Sequence, residues 1–271
     1  MPDQDGPQPG TGRTGRLSAQ EIYGRVTTSG KEEIDRPPHN LLFSAVASGL
    51  SMGLSGLAVA TVLSVAGPGA AAKALAYLAY PLGFIIVVLG RQQLFTENTL
   101  FPVALVLRTR RYLWPTTRLW AVVLTGNLFG TLLFAALVVG TPAIPEPISR
   151  ELVALGAELG SHGFWAVFWT AVVAGWLVAL VAWLVAASTD TVGQIVVITV
   201  ITYVIGLAGL AHSIAGSAEV LAAVVAGQLP VDSYQTWIVA AVLGNVIGGV
   251  GIVALLNYGQ VHRGEDYESA A

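Results

Sequence analysis

Six long apolar stretches, separated by short polar segments, dominate the chain and predict membrane-spanning helices. Each is at least as long as the roughly 20 residues that an α-helix needs to cross a bilayer core. They cover residues 40–66, 73–107, 114–140, 164–187, 192–227 and 236–257. The pattern predicts an all-α membrane protein with six transmembrane helices in a membrane domain over residues 40–258.

Polar residues interrupt two of these stretches. RQQLFTEN, residues 91–98, divides the second stretch, and HSIAGS, residues 212–217, divides the fifth. At ~1.5 Å per residue, the second stretch is too long for one helix across a ~30 Å hydrocarbon layer. Irregular backbone at that depth is tolerated only where it is buried in protein or lines a cavity. We therefore predict that helices 2 and 5 are broken at mid-membrane and that the breaks mark a pore or a binding site.

The two halves of the chain carry related motifs. A Gly-Asn-x-x-Gly motif begins at Gly126 in the third stretch and at Gly244 in the sixth. Such glycine pairs indicate close helix packing. Because each half has three crossings, an odd number, the second half must insert upside down relative to the first. This predicts an inverted 3+3 repeat, over about residues 40–140 and 162–257, with its site near the midplane where the breaks meet.

Composition and charge agree with this interpretation. The chain is 54% hydrophobic and 11% charged, whereas soluble domains average about 25% charged residues. With the N-terminus inside, ten Lys and Arg residues are cytoplasmic and two, Lys73 and Arg150, are external. This bias predicts a multi-pass protein of the cell (inner) membrane with both termini in the cytoplasm. The ten are Arg13, Arg16, Arg25, Lys31, Arg36, Arg108, Arg110, Arg111, Arg118 and Arg263.

The two tails are polar. In the N-terminal tail, residues 1–39, Ser18 and Glu21 predict a capping box that opens an interfacial helix near residues 18–28. A tail without structure is the alternative. Residues 259–271 form the C-terminal tail.

The sequence carries no enzyme signature. It has no cysteine, its four histidines form no HExxH motif, and it has no P-loop. We expect no catalytic activity, no cofactor, no metal and no nucleic-acid partner.

Polar side chains inside the breaks are functional candidates, since such groups are costly in a membrane. Thr96 and Asn98 lie in the first break, and His212 opens the second. Each break leads into a new half-helix, for which Asn98 and either Gly216 or Ser217 are the expected N-caps. Two helix N-termini facing one cavity attract an anion, to which His212 would donate a hydrogen bond or a proton.

The charged residues near the breaks also have structural explanations. Arg91 and Glu97 either pair structurally or form a charge pair in the pore. Glu219, at the N-terminus of the second half-helix, is most simply explained as complementing the helix dipole. A lone membrane histidine often bonds a neighbouring helix, but the position of His212 in one of two related breaks favours function.

Two motifs, LFTxN from Leu94 and HSIA from His212, resemble the formate/nitrite transporter family. The resemblance covers residues 32–258 and implies an aquaporin-like protomer in a homopentamer, with one pore per protomer in the lipid bilayer. It implies passive or proton-linked passage of a small monovalent anion such as formate or nitrite. It also implies that Thr96 lies in a mobile loop, that His212 is the central pore histidine and that Leu94 and Phe95 flank a gate. The expected pore wall comprises His212, Thr96, Leu94, Phe95, Asn98, Ser213 and Ile205.

Departures from the family pattern leave alternatives open. Gln93 replaces the usual acid, Glu97 replaces a small residue, and no lysine lies near Leu159 at the start of the fourth span. The chain is similar to a divergent RQQLFTEN-type branch. One alternative is a channel for a small neutral solute, namely water, ammonia or an undissociated acid. Another is a non-conducting membrane scaffold or sensor, shut by an Arg91–Glu97 pair, whose basic loop 108–118 meets anionic lipid or a partner.

Overall fold

The computed structural model describes residues 17–268 and, for side chains, residues 17–261. Arg13 and Arg16 lie outside the described residues, as does the side chain of Arg263. The described part of the chain is helical and contains no β-strand. Its α-helices are α1 (Ala19–Asp35), α2 (Pro38–Ala66), α3 (Ala70–Tyr77), α4 (Pro81–Leu89), α5 (Phe101–Arg108), α6 (Leu113–Gly140), α7 (Glu146–Gly160), α8 (Phe164–Ala187), α9 (Thr191–Leu207), α10 (Ala215–Val225), α11 (Val231–Val246) and α12 (Leu255–Glu268).

Five helical stretches within residues 17–268 are long and apolar enough to cross a membrane; one of them comprises α3, a turn and α4. They are Pro38–Ala66, Ala70–Leu89, Arg110–Gly140, Phe164–Ala187 and Val231–Val261. The predicted fifth stretch instead consists of two shorter apolar helices, α9 and α10. A π-helix, Ile247–Ala254, joins α11 to α12, so the last stretch continues beyond its predicted end at residue 257. The prediction of an all-α membrane protein is confirmed.

Glycines let the long helices pack closely in pairs. A Cβ added to Gly130 of α6 would lie 2.9 Å from the Cα of Gly49 in α2. In the same way, a Cβ on Gly175 of α8 would lie 2.5 Å from the Cα of Asn245 in α11. Only a residue without a side chain allows these approaches, and the packing interpretation of the glycine motifs is confirmed.

Helix α1 is longer than predicted and packs against the membrane helices. The predicted capping box is confirmed, because the Ser18 N–H donates to Glu21 Oε2 at 2.8 Å and the Glu21 N–H donates to Ser18 Oγ at 3.2 Å. The Tyr23 hydroxyl donates to the Ala104 carbonyl of α5 at 2.9 Å. Burial raises the pKa of Tyr23 to about 12, so the hydroxyl keeps the proton that it donates. Helix α1 is therefore attached to the helical body through α5.

Helix α7 lies between the third and fourth predicted stretches, where the sequence predicted no helix. Its apolar positions Leu152, Leu155 and Leu159 recur at helical spacing, and Leu152 is completely buried. At Gly156 an added Cβ would overlap the Glu219 carbonyl, so the backbones of α7 and α10 touch there. The second half-helix, α10, thus packs directly against α7.

Candidate solute pathway at the two helix breaks

The first break separates α4 from α5. Helix α4 ends at Leu89, residues 97–99 form a single 3₁₀ turn, and α5 begins at Phe101. Arg91 has φ 51°, in the left-handed region that residues other than glycine seldom adopt. The prediction that Asn98 caps the half-helix is wrong, because Leu100 is the N-cap and no side chain caps the helix. The Asn98 amide instead donates to Gln93 Oε1 at 3.1 Å within the break.

The second break separates α9 from α10. Helix α10 begins at Ala215, earlier than predicted, so Gly216 and Ser217 are helical residues and not N-caps. The Ser217 hydroxyl donates to the Ser213 carbonyl one turn earlier, at 2.6 Å. Glu219 is therefore the fifth residue of the helix and lies beyond its first turn. Because dipole effects are confined to the first turn, the dipole does not explain this carboxylate, and its expected position at the N-terminus of the half-helix is wrong.

Two asparagines hold the breaks in place with matching hydrogen bonds. The Asn127 amide donates to the carbonyls of Ala45 and Gln93, both at 2.8 Å. Its Oδ1 accepts from the Phe95 N–H at 2.9 Å. Each of these groups is thereby paired inside the protein, as buried polar backbone requires.

Asn245 repeats this arrangement in the second break. Its amide donates to the carbonyls of Ala171 and Ala211 at 2.8 and 3.0 Å, and its Oδ1 accepts from the Ser213 N–H at 2.8 Å. Sequence reasoning treated both asparagines only as parts of packing motifs. A polar amide in the middle of an apolar span was the signal for their further role.

The structure brings Thr96 and His212 together from the two breaks. Both side chains are buried, and Thr96 Oγ1 lies 2.9 Å from His212 Nε2. The Ala215 N–H donates to His212 Nδ1 at 3.1 Å. A ring nitrogen that accepts a hydrogen bond carries no proton, so in the neutral ring Nε2 is the donor to Thr96. The first N–H of α10 therefore sets both the orientation and the tautomer of the imidazole.

Apolar side chains surround this polar contact. The Phe84 ring meets the imidazole edge-on, with 5.0 Å between ring centroids. The Phe95 ring meets Trp120 edge-on at 5.7 Å. Leu94, Phe95 and Ile205 are all at least 98% buried. Thr96 and His212 thus provide polar groups in a constriction that is otherwise apolar.

Two cavities approach the constriction and share no lining residue. The larger, about 810 Å³, lies under α1 and is termed the α1 cavity; Leu94, Glu97, Asn98 and Arg91 line it. The smaller, about 350 Å³, lies against α7 and is termed the α7 cavity; its lining includes His212, Ile205 and Glu219. Most of the predicted site residues therefore lie on one of these two cavities or between them.

The remaining predicted residues have different surroundings. Arg91 and Glu97 line the same cavity, but among the described residues no ion pair within 4.0 Å joins them. A pore shut by that pair therefore lacks its closing contact in this structure. Ser213 is fully buried and contributes its backbone N–H to Asn245, while its hydroxyl lacks a partner within the described residues.

The sequence matches known membrane transporters. The family model described as formate/nitrite transporter matches residues 20–259. The chain is 36% identical to the inner membrane protein YfdC of Escherichia coli over 250 residues, which cover 90% of this chain and 79% of that protein. It is 28% identical to a probable formate transporter of Methanothermobacter thermautotrophicus over 194 residues, which cover 65% of this chain and 71% of that protein.

Two solved structures share the fold. An FNT family ion channel aligns with a TM-score of 0.78 at 17% identity, covering 88% of this chain and 98% of that one. A pentameric formate channel with formate bound aligns with a TM-score of 0.68 at 20% identity, covering 82% and 96%. Taken with the family match over residues 20–259, the chain belongs to the formate/nitrite transporter family, whose members are membrane channels or transporters and not enzymes.

Proposed function

We propose that this protein is a channel for a small monovalent weak-acid anion of the formate or nitrite class, with one pore per protomer. The contact between Thr96 and His212 carries the proposal, since it lies between two cavities and supplies polar groups within an apolar constriction. A solute oxygen would accept from His212 Nε2–H as the Thr96 contact opens. Transport is passive or linked to a proton.

The pore wall that we propose combines both breaks. Thr96 and His212 contact the solute, whereas Leu94, Phe95 and Ile205 form the apolar constriction. Asn98 and Ser213 help to shape the two breaks, and Arg91 and Glu97 contribute to the charge of the α1 cavity. Their burial and their positions on the two cavities support these roles.

The proposed architecture is a six-helix channel domain over residues 40–258, built as an aquaporin-like inverted 3+3 repeat with both breaks near mid-membrane. In support of it, Asn127 and Asn245 make equivalent hydrogen bonds and are 118 positions apart, as are Gln93 and Ala211, whose carbonyls accept from them. The distribution of Lys and Arg supports cytoplasmic termini. The α1 cavity then faces the cytoplasm, and the α7 cavity faces the outside.

We also propose a homopentamer in the cell membrane. One solved relative in fold is described as a pentameric formate channel. Large apolar side chains on the membrane helices are exposed in the single chain, among them Phe43, Trp165 and Trp169. Lipid and neighbouring protomers would cover such surfaces.

A small neutral solute, such as water, ammonia or an undissociated acid, is the second candidate. Glu97 in the α1 cavity and Glu219 in the α7 cavity favour it, because a carboxylate on each side of the constriction opposes a free anion.

Flux into proteoliposomes that contain the purified chain tests the proposal. Formate or nitrite uptake that is lost in His212→Ala, at an unchanged unfolding temperature, is the expected result. Osmotic water flow or ammonia flux without either anion would favour the second candidate. If neither the anions nor the neutral solutes cross between pH 4 and 8, the protein is not a channel of this kind.

A further inference from the structure

Glu219 is a charged residue in the α7 cavity that the proposed pathway leaves unused. It lines the same cavity as His212 and lies in the second turn of α10. Among the described residues, no cation lies within 4.0 Å of its carboxylate to form an ion pair. A partly buried charge without a partner is costly, so its presence calls for a reason.

The fold makes room for this side chain from two directions. A Cβ on Gly56 of α2 would lie 2.8 Å from both the Cγ and Oε1 atoms of Glu219. A Cβ on Gly156 of α7 would overlap the Glu219 carbonyl. Helices α2 and α7 thus each have a glycine next to Glu219. The carboxylate occupies the space that a side chain at Gly56 would fill.

The other ionisable groups that line the α7 cavity leave the Glu219 charge uncompensated. Lys73 is the one Lys or Arg in this described lining, and its Nζ lies 3.8 Å from Glu158 Oε1, where both side chains are about half exposed. The remaining ionisable groups of the lining are Tyr77, Tyr80, His162 and His212. The phenols bear no charge at neutral pH, and the neutral His212 ring already uses both nitrogens. His162 is exposed, away from the buried constriction, and its Nδ1–H donates to the Leu159 carbonyl at 3.2 Å. The net charge facing a solute near the constriction is therefore that of Glu219.

We propose that Glu219 determines charge selectivity, excluding an uncompensated anion from His212 so that the solute crosses without net charge. The inference rests on the proposed function and specifies its mode. One anion and one proton cross in the same direction, and no net charge moves. An ionised carboxylate in a cavity within the protein repels an anion more strongly than it would in bulk water.

The test measures solute uptake and charge movement together. Three sets of proteoliposomes carry the full-length wild type, Glu219→Gln or the double variant Lys73→Gln/Glu158→Gln. Each receives formate while a potassium gradient with valinomycin sets the membrane potential. For the wild type we expect formate uptake that is independent of the potential and carries no current. For Glu219→Gln we expect uptake that follows the potential, carries current and rises about fivefold at pH 8.

Two matched variants separate charge from structure. The double variant Lys73→Gln/Glu158→Gln removes the ion pair at the rim of the same cavity without changing its net charge, and we expect wild-type behaviour. Glu219→Asp retains the charge and should remain electroneutral. Should Glu219→Gln fail to fold, Glu219→Ala takes its place in the same assay.

The outcomes distinguish this inference from the proposed function. If the wild type conducts formate with one charge per anion, or if Glu219→Gln transports formate without current, the selectivity role of Glu219 is wrong and the channel function stands. If the folded wild type takes up neither formate nor nitrite, the proposed function is wrong and the inference is wrong with it.

Discussion

Thr96 and His212 come from different helix breaks, yet their side chains form a hydrogen bond of 2.9 Å. The Ala215 N–H holds the other ring nitrogen, so the imidazole cannot turn away without losing a second bond. The constriction is therefore an oriented N–H group that faces a hydroxyl which can rotate.

Replacing Thr96 with valine should impair transport, because it removes one of the two polar groups that we propose contact the solute in the constriction. A hydrogen bond contributes about 0.5–1.5 kcal/mol, and we expect formate uptake to fall by up to about tenfold. Thr96→Ser retains the hydroxyl and should keep most of the wild-type rate. Equal rates for the valine and serine variants in the liposome assay would contradict this role.

Removing either anchoring asparagine should destabilise the protein. Asn127→Ala and Asn245→Ala each delete three hydrogen bonds to buried backbone groups, and each orphaned group costs about 1–3 kcal/mol. We expect a clearly lower unfolding temperature in detergent for both. Asn98→Ala loses a single side-chain bond and serves as the control. An unfolding temperature for Asn245→Ala that is no lower than that of the control would refute the anchoring role.

Two glycines of α1 allow a matched test of how this helix is attached. A Cβ on Gly30 would overlap the Phe101 carbonyl, whereas a Cβ on Gly24 meets nothing within 4 Å. Gly30→Ala should lift α1 from α5, at a cost of about 1–3 kcal/mol, and increase hydrogen exchange in α1. Gly24→Ala should stabilise the helix by roughly 0.5–1 kcal/mol. Similar exchange in the two variants would mean that α1 does not depend on this contact.

Glu33 predicts a pH dependence of stability at the α1 cavity. Its carboxylate accepts from Gln93 Nε2 in the first break and from Arg36 at 3.1 Å. Burial raises the pKa of Glu33 above its ordinary value, although the bonds from Arg36 and Gln93 act in the opposite direction. Folding thus favours the protonated form, and the contribution of Glu33 to stability decreases as the pH rises through its folded-state pKa.

Glu33→Gln removes this dependence. Its unfolding temperature should therefore rise relative to the wild type as the pH increases from about 4 to 8. The exposed neighbour Glu32→Gln controls for the loss of one negative charge. A temperature difference between Glu33→Gln and the wild type that is constant with pH would show that burial of Glu33 has no such effect.

Much of this fold follows from the sequence, because polar residues inside a long apolar run leave few structural options. The segments around Thr96 and His212 are interrupted, and the two side chains meet. Helix α7 escaped prediction because Glu146, Arg150 and Glu158 dilute its apolar stripe below the level expected of a membrane crossing.

Side-chain contacts within each break decide the remaining details. Capping rules look for a nearby serine or asparagine, whereas the first N–H of α10 is satisfied by the ring of His212. That bond starts the helix at Ala215 and moves Glu219 out of the first turn. In the first break, the Asn98 amide donates to Gln93 Oε1, and no side chain caps α5. Both partners are close in sequence, but the capping rules do not include either contact.

The equivalence of the two asparagines has a kinetic consequence. Counted from its own asparagine, Leu94 occupies the position that His212 occupies in the other half, and each lines the cavity on its own side. A solute that enters from the α1 cavity first meets the hydrocarbon side chain of Leu94. A solute that enters from the α7 cavity first meets the imidazole of His212. The rate of solute entry should therefore differ between the two sides of the membrane, although the equilibrium distribution of the solute is the same.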